Sequence, residues 1–223
     1  MNGGYSIMQA RARKTALMAA AFLFVGAILG AGALRAWQQV KIFVAKSRVT
    51  MLDVRYEILQ HATRKPSIIM LGDSITANVP WREAAECASV SNYGMDGDTT
   101  EGVISRLREV LILRPKAVFL MIGANDILKR HATAETAENV RRIVERLEAA
   151  EVTVYVHPIL PIDSIEGLAA ETNVAVARAI AGTRAALVPL PINVADTRDG
   201  LHLAASGFLK WRDTIAPIMR RHC

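Results

Sequence analysis

Three side chains of this 223-residue chain hold the makings of nucleophilic catalysis: Ser74, His202 and Asp199. A serine hydroxyl is a weak nucleophile at neutral pH and needs a base within hydrogen-bond reach. Of the five histidines, His61 and His222 lie towards the ends of the folded part, His131 sits in a polar stretch, and His157 follows an apolar run just before Pro158. Each of these reads as a surface or structural histidine. His202 differs because Asp199 precedes it by three residues, on a segment that reads as a loop entering a helix. A carboxylate there can hold one imidazole nitrogen and leave the other facing Ser74. Acyl transfer also requires donors aimed at a developing oxyanion. The Ser74 amide, the Gly97 amide in the turn Gly94-Met-Asp-Gly97 and the Asn125 side chain can supply them. Taken singly, Gly97 reads as a turn glycine and Asn125 as a turn or cap residue. The set as a whole points to acyl chemistry.

No metal and no cofactor is expected. Cys87 and Cys223 stand in no C-x-x-C pair, and no histidine accompanies them at a zinc-ligand spacing. The two pair as a disulfide if the domain is exported or remain two thiols; both readings stand.

The elements that must position these residues follow from hydrophobic pattern. Short apolar runs at 67–71, 90–93, 117–122, 152–156 and 187–190 read as buried strands of a parallel sheet. Between them lie helical stripes, Val103, Leu107, Val110 and Leu111 on one and Val140, Ile143, Val144 and Leu147 on the next. Asp98, with Glu101 three residues on, predicts a cap for the first stripe. A last helix starts near Ala204, with Phe208, Trp211 and Ile215 inward. Alternating strand and helix in one domain predicts a doubly wound α/β sheet. In such sheets ligands bind outside the carboxyl ends of the strands. Those ends carry Gly72-Asp73-Ser74, Asn92-Tyr93-Gly94 and Gly123-Ala124-Asn125-Asp126, and the segment after the fifth strand carries Asp199-Gly200-Leu201-His202.

These blocks carry a family resemblance. Gly72-Asp73-Ser74-Ile75 resembles the first block of the SGNH (GDSL-like) hydrolase superfamily, Asn92 to Thr100 its second, Gly123 to Asp126 its third and Asp199 to His202 its fifth. The resemblance covers roughly residues 66 to 221. It implies a flavodoxin-like α/β/α fold with five parallel strands, Ser74 as nucleophile, Asp199 and His202 as orienter and base, and Ser74, Gly97 and Asn125 as the oxyanion hole. The chain lacks G-x-S-x-G, so the α/β-hydrolase elbow is not the match. The activity implied is hydrolysis of a carboxylic ester, either an acyl ester on a lipid or an O-acetyl group on a cell-envelope glycan. An O-acyltransferase using the same site and a catalytically silent membrane-tethered binding module stand as alternatives.

Charge separates the chain into parts. Residues 1–65 hold ten of the 27 Lys and Arg against only Asp53 and Glu57, a net of +8, whereas the remaining 158 residues carry 17 basic and 19 acidic side chains, a net of −2. A nucleic-acid partner is therefore not expected. The reading is a basic leader over 1–15, an uncharged membrane anchor or signal over 16–34, an amphipathic helical connector over 35–65 and the hydrolase domain over 66–223. At about 1.5 Å rise per residue the uncharged run is long enough to span a bilayer. The expectation is a single-pass protein of a bacterial inner membrane with its catalytic domain periplasmic. Cleavage at Ala31-Gly32-Ala33, giving a secreted or periplasmic enzyme, is the alternative. Arg35, Lys41, Lys46 and Arg48 after the span argue for the reverse orientation.

Overall fold

The computed structural model describes residues 37–39, 65–81, 89–161 and 165–223. The leader and the apolar run at 16–34 lie outside the described residues, as do Cys87 and the connector apart from residues 37–39 and 65. Among the described residues no helix is long and apolar enough to cross a membrane.

Five strands build the sheet: β1 (Ile68–Gly72), β2 (Val90–Gly94), β3 (Ala117–Met121), β4 (Thr153–Val156) and β5 (Ala186–Leu187). All pairings are parallel and the order is β2-β1-β3-β4-β5, the flavodoxin-like arrangement. The helices are α1 (Ser74–Ala77), α2 (Thr100–Leu113), α3 (Ala124–Leu128), α4 (Thr133–Glu148), α5 (Glu166–Ala179) and α6 (Ala205–Met219).

Side chains alternate across a strand, so each central strand feeds two cores. Ile68 and Met70 of β1 and Phe119 of β3 join Trp81, Trp211 and Ile215 on one face. Ile69 and Leu71, with Val118 and Leu120, join Val103, Leu107, Val140, Ile143 and Val144 on the other. Both helical stripes turn inward as expected, except that Leu111 stays half-buried. Burying side chains of this size contributes about 1.5–3 kcal/mol each. The two continuous cores therefore make the strand ends a rigid platform.

Two local features differ from the sequence reading. The fifth strand is only two residues long and begins one residue earlier than expected. Val188 N still donates to Val156 O at 2.9 Å, but Pro189 has no N–H with which to continue the ladder. The cap of α2 is Thr99, whose side chain accepts from Gly102 N. Asp98 is instead buried and ion-paired with Arg106 at 2.8 Å.

Candidate active site

Ser74 opens α1 directly beyond β1. Asp73 is the N-cap, its Oδ1 accepting from Ile75 N at 2.9 Å, and the first-turn amides of a helix have no intrahelical partner. The Ser74 N–H is one of these. The helix is tied to β2 by Asn92, whose amide donates to the carbonyls of Thr76, Ala77 and Val79 at 3.0–3.1 Å. Gly94 completes this contact, because any Cβ there would overlap the backbone of Ala77. Beneath, the buried Arg106 donates to Gly72 O at 3.1 Å while paired with Asp98, so the end of β1 and the loop after Gly97 share one anchor. Burial raises the Asp73 carboxyl to about 7, with Asp98 and Asp126 pushing the same way and the Ile75 hydrogen bond opposing.

His202 reaches this serine from a loop 128 residues away in sequence. The loop is pinned at its base by an antiparallel bridge between Thr197 and Leu203 and by Ala204 N donating to Asp196 O at 2.8 Å. Lys210 of α6 holds Asp196 at 2.6 Å. Within the loop, Asp199 Oδ1 accepts from Leu201 N at 3.0 Å and from His202 N at 2.6 Å, while its Oδ2 lies 2.8 Å from His202 Nδ1. The His202 backbone and ring hydrogen bonds hold the Asp199 carboxyl well below the usual carboxylate range. A carboxylate can only accept, so Nδ1 carries the proton and Nε2 presents its lone pair. Ser74 Oγ lies 3.1 Å from Nε2. The hydroxyl therefore donates to the imidazole, which donates to Asp199.

Gly97 and Asn125 are brought to the same edge by strand register, since Gly72 is paired with both Gly94 and Met121. Gly97 adopts φ +69°, a conformation that favours glycine. Among the described residues the Asn125 side chain has no hydrogen-bond partner. The segments bearing these two residues are clamped together twice. Buried Asp126 accepts from Thr100 N at 3.0 Å and from Thr100 Oγ1 at 2.5 Å, and Lys129 Nζ donates to Gly97 O at 2.7 Å. Sequence reasoning quoted Asp126 within its block but gave it no role, and it missed Lys129 and Arg106. Asp126 was detectable only as the neighbour of Asn125, whereas no spacing signals the other two.

A cleft of about 180 Å³ adjoins the pair, with Ile75, Val79, Leu203 and Phe208 in its apolar wall and His202 and Arg198 beside them. Among the described residues no group of three or more His, Cys, Asp or Glu is placed to hold a metal ion.

Residues 70–217 match the GDSL-like Lipase/Acylhydrolase family. The human platelet-activating factor acetylhydrolase IB subunit alpha2 is 26% identical over 100 residues, 42% of this chain and 43% of that protein. The chain thus matches less than half the length of such curated relatives. Among solved structures, a Streptococcus pneumonia protein described as a platelet activating factor has a TM-score of 0.70 at 21% identity, covering 82% of this chain and 98% of its own. The acetylxylan esterase of Geobacillus stearothermophilus, as a serine-to-alanine catalytic mutant, has a TM-score of 0.57 at 15% identity over 70% of this chain and 94% of its own. With a family match over about two thirds of its length, this chain belongs to the GDSL-like lipase/acylhydrolase family.

Proposed function

We propose that the protein hydrolyses a short-chain carboxylic ester through an acyl-enzyme on Ser74. The observation that carries this reading is the continuous hydrogen-bonded chain from Ser74 Oγ through His202 to Asp199. Ser74 Oγ attacks the ester carbonyl and its proton passes to His202 Nε2. The oxyanion forms against the Ser74 and Gly97 amides and the Asn125 side chain. Collapse breaks the bond to the alcohol, which leaves with the proton held by His202. Water then gives a proton to His202 and attacks the acyl-enzyme, releasing the acid and restoring the serine hydroxyl.

The short acyl group is argued from the cleft. Pockets for drug-sized ligands run to about 300–1,000 Å³, and an apolar cavity of about 150 Å³ holds a benzene-sized group. About 180 Å³ therefore suits an acyl chain of up to about six carbons. The acetylhydrolase and the acetylxylan esterase to which the chain is similar both take their names from acetyl groups, which supports the same reading. The test is a series of 4-nitrophenyl esters from acetyl to palmitoyl, with Ser74→Ala and a fluorophosphonate probe as controls. The reading expects kcat/KM to fall steeply beyond about six carbons, and Ser74→Ala to lose both turnover and labelling. Turnover that rises towards palmitoyl would remove the short-acyl assignment. Near-normal turnover in Ser74→Ala would remove the mechanism.

We further propose that the uncharged run from Ala16 to Leu34 is an uncleaved anchor that holds the catalytic domain on the outer side of a bacterial inner membrane. An alkaline phosphatase reporter fused after Cys223 is then active, and an inactive reporter overturns the placement.

A further inference from the structure

Arg198 lines the cleft beside His202, yet the chemistry derived so far gives it no task. Its side chain is 58% exposed, so it stands at the cleft mouth rather than in the floor. Its ion-pair neighbour is Asp199, with Nε to Oδ2 at 3.9 Å, beyond hydrogen-bond distance. Asp199 is already occupied by Leu201 N, His202 N and His202 Nδ1. The contact to Arg198 is therefore electrostatic at most. A guanidinium presents five donors in a planar fork matched to carboxylate and phosphate oxygens. No carboxylate lines the cleft among the described residues, whose other walls are Ile75, Val79, Pro80, Leu203 and Phe208 with small or polar neighbours. The position is also held firmly: Arg198 N donates to His202 O at 2.9 Å, so any movement of the Arg198 backbone is shared with the catalytic histidine.

Resting on the short-acyl reading, we propose that Arg198 is a specificity residue for an ester bearing an oxyanion, carboxylate or phosphate, within a few bonds of the scissile carbonyl. The apolar wall takes the acyl chain and the guanidinium takes the anion at the mouth. Because the fork moves with the histidine loop, a bound anion also orients the ester against Nε2. A neutral ester of the same size loses this contact and keeps the rest.

The experiment uses the full-length protein and matched acetyl esters. O-acetyllactate is compared with O-acetyllactamide, and 1-O-acetylglycerol 3-phosphate with 1-O-acetylglycerol, so that the two pairs separate carboxylate from phosphate. Within at least one pair the anionic ester is favoured about tenfold or more in kcat/KM, as for a charge-assisted hydrogen bond that the neutral ester cannot make. The preference shrinks as ionic strength rises, because the site is exposed. Arg198→Gln brings the ratio close to one and Arg198→Lys retains part of it, since a lysine keeps the charge but loses the fork. Equal kcat/KM within both pairs overturns the proposal, as does a preference that survives Arg198→Gln. If none of the four esters is cleaved while long-chain 4-nitrophenyl esters are, the short-acyl reading itself fails and the assignment of Arg198 falls with it.

Discussion

Replacing Asp199 by Asn isolates one function of that carboxylate, because its two oxygens do different work. Oδ1 accepts from Leu201 N and His202 N and so shapes the loop, whereas Oδ2 accepts from His202 Nδ1. An asparagine keeps an acceptor for the backbone amides and sets an NH2 group against the ring. The ring must then present a lone pair at Nδ1 and carry its proton on Nε2, facing Ser74 Oγ across 3.1 Å with a donor where an acceptor is needed. In a triad whose acid is sealed from water this tautomer error costs about 10⁴ in kcat. Here the Asp199 side chain is 47% exposed and that of His202 23%. Water can therefore compete for Nδ1 and restore the useful tautomer in part of the population, so the expected loss is about 10²–10³ in kcat with little change in KM. Turnover of 4-nitrophenyl acetate, alongside one- and two-dimensional NMR of the imidazole nitrogens, measures both the rate and the tautomer. An Asp199→Asn enzyme within tenfold of the parent, with a folded spectrum, would refute the role given to Oδ2. Asp199→Ala loses the loop hydrogen bonds as well and should fall further.

Asn125→Ala removes a side-chain donor that has no other partner among the described residues, and steady-state kinetics should show about 10²–10³ less turnover with KM held. Lys129→Met releases Gly97 O; kcat should drop about tenfold while KM stays, with Lys129→Arg recovering part, and an unchanged kcat would make the strap incidental. His157 is a buried neutral ring that donates from Nδ1 to Val188 O at 2.8 Å and accepts at Nε2 from Trp211 Nε1 at 3.2 Å. Burial lowers it from 6.5 to about 4, so the unfolded chain takes up the proton first; its stability contribution is full above pH 6.5 and is lost as the pH falls through 4, by about 3 kcal/mol. Asp73 runs the other way, contributing below its unfolded value of 3.8 and losing that contribution as the pH rises through about 7. Urea unfolding should therefore be read as the difference between the parent and His157→Phe across pH 4 to 8. A difference that does not shrink on acidification would refute the account.

The sheet was legible because strands buried on both faces leave continuous apolar runs, as in Ile68 to Leu71 and Ala117 to Ile122, and because the cores they feed need helices of matching stripe. The fifth strand was less so: its apolar run extends through Leu190, but the backbone donor needed to use that run is missing at Pro189. Ser74, Asp199 and His202 could be picked out because their chemistry is scarce and the strand-end rule says where it must collect. What supports them was not legible. Asp98 and Glu101 carry a capping pattern, yet Thr99 caps and Asp98 is drawn into the interior by Arg106, a choice fixed by what lies beneath β1 and not by local spacing. Lys129 looks like any surface lysine until the fold brings Gly97 O within its reach.

The two halves of the site are supported in different ways. Ser74 sits where a buried strand meets a helix, with Arg106, Asn92 and Gly94 fixing its surroundings from inside the core. His202 and Asp199 lie on a half-exposed loop held by the Thr197 to Leu203 bridge, the Ala204 N to Asp196 O hydrogen bond and the ion pair of Asp196 with Lys210. A perturbation that loosens the surface should thus reach the base before it reaches the nucleophile. Lys210→Ala tests this directly, because Lys210 touches neither Ser74 nor His202 in the hydrogen bonds of the site. Removing it should lower turnover while fluorophosphonate-independent measures of the core, such as near-UV circular dichroism of the buried Trp81 and Trp211 pair, stay as they were. If turnover is unchanged, the bridge and the Ala204 N to Asp196 O hydrogen bond hold the loop without Lys210. If the tryptophan signal collapses as well, the loop is part of the core and its separate support is refuted.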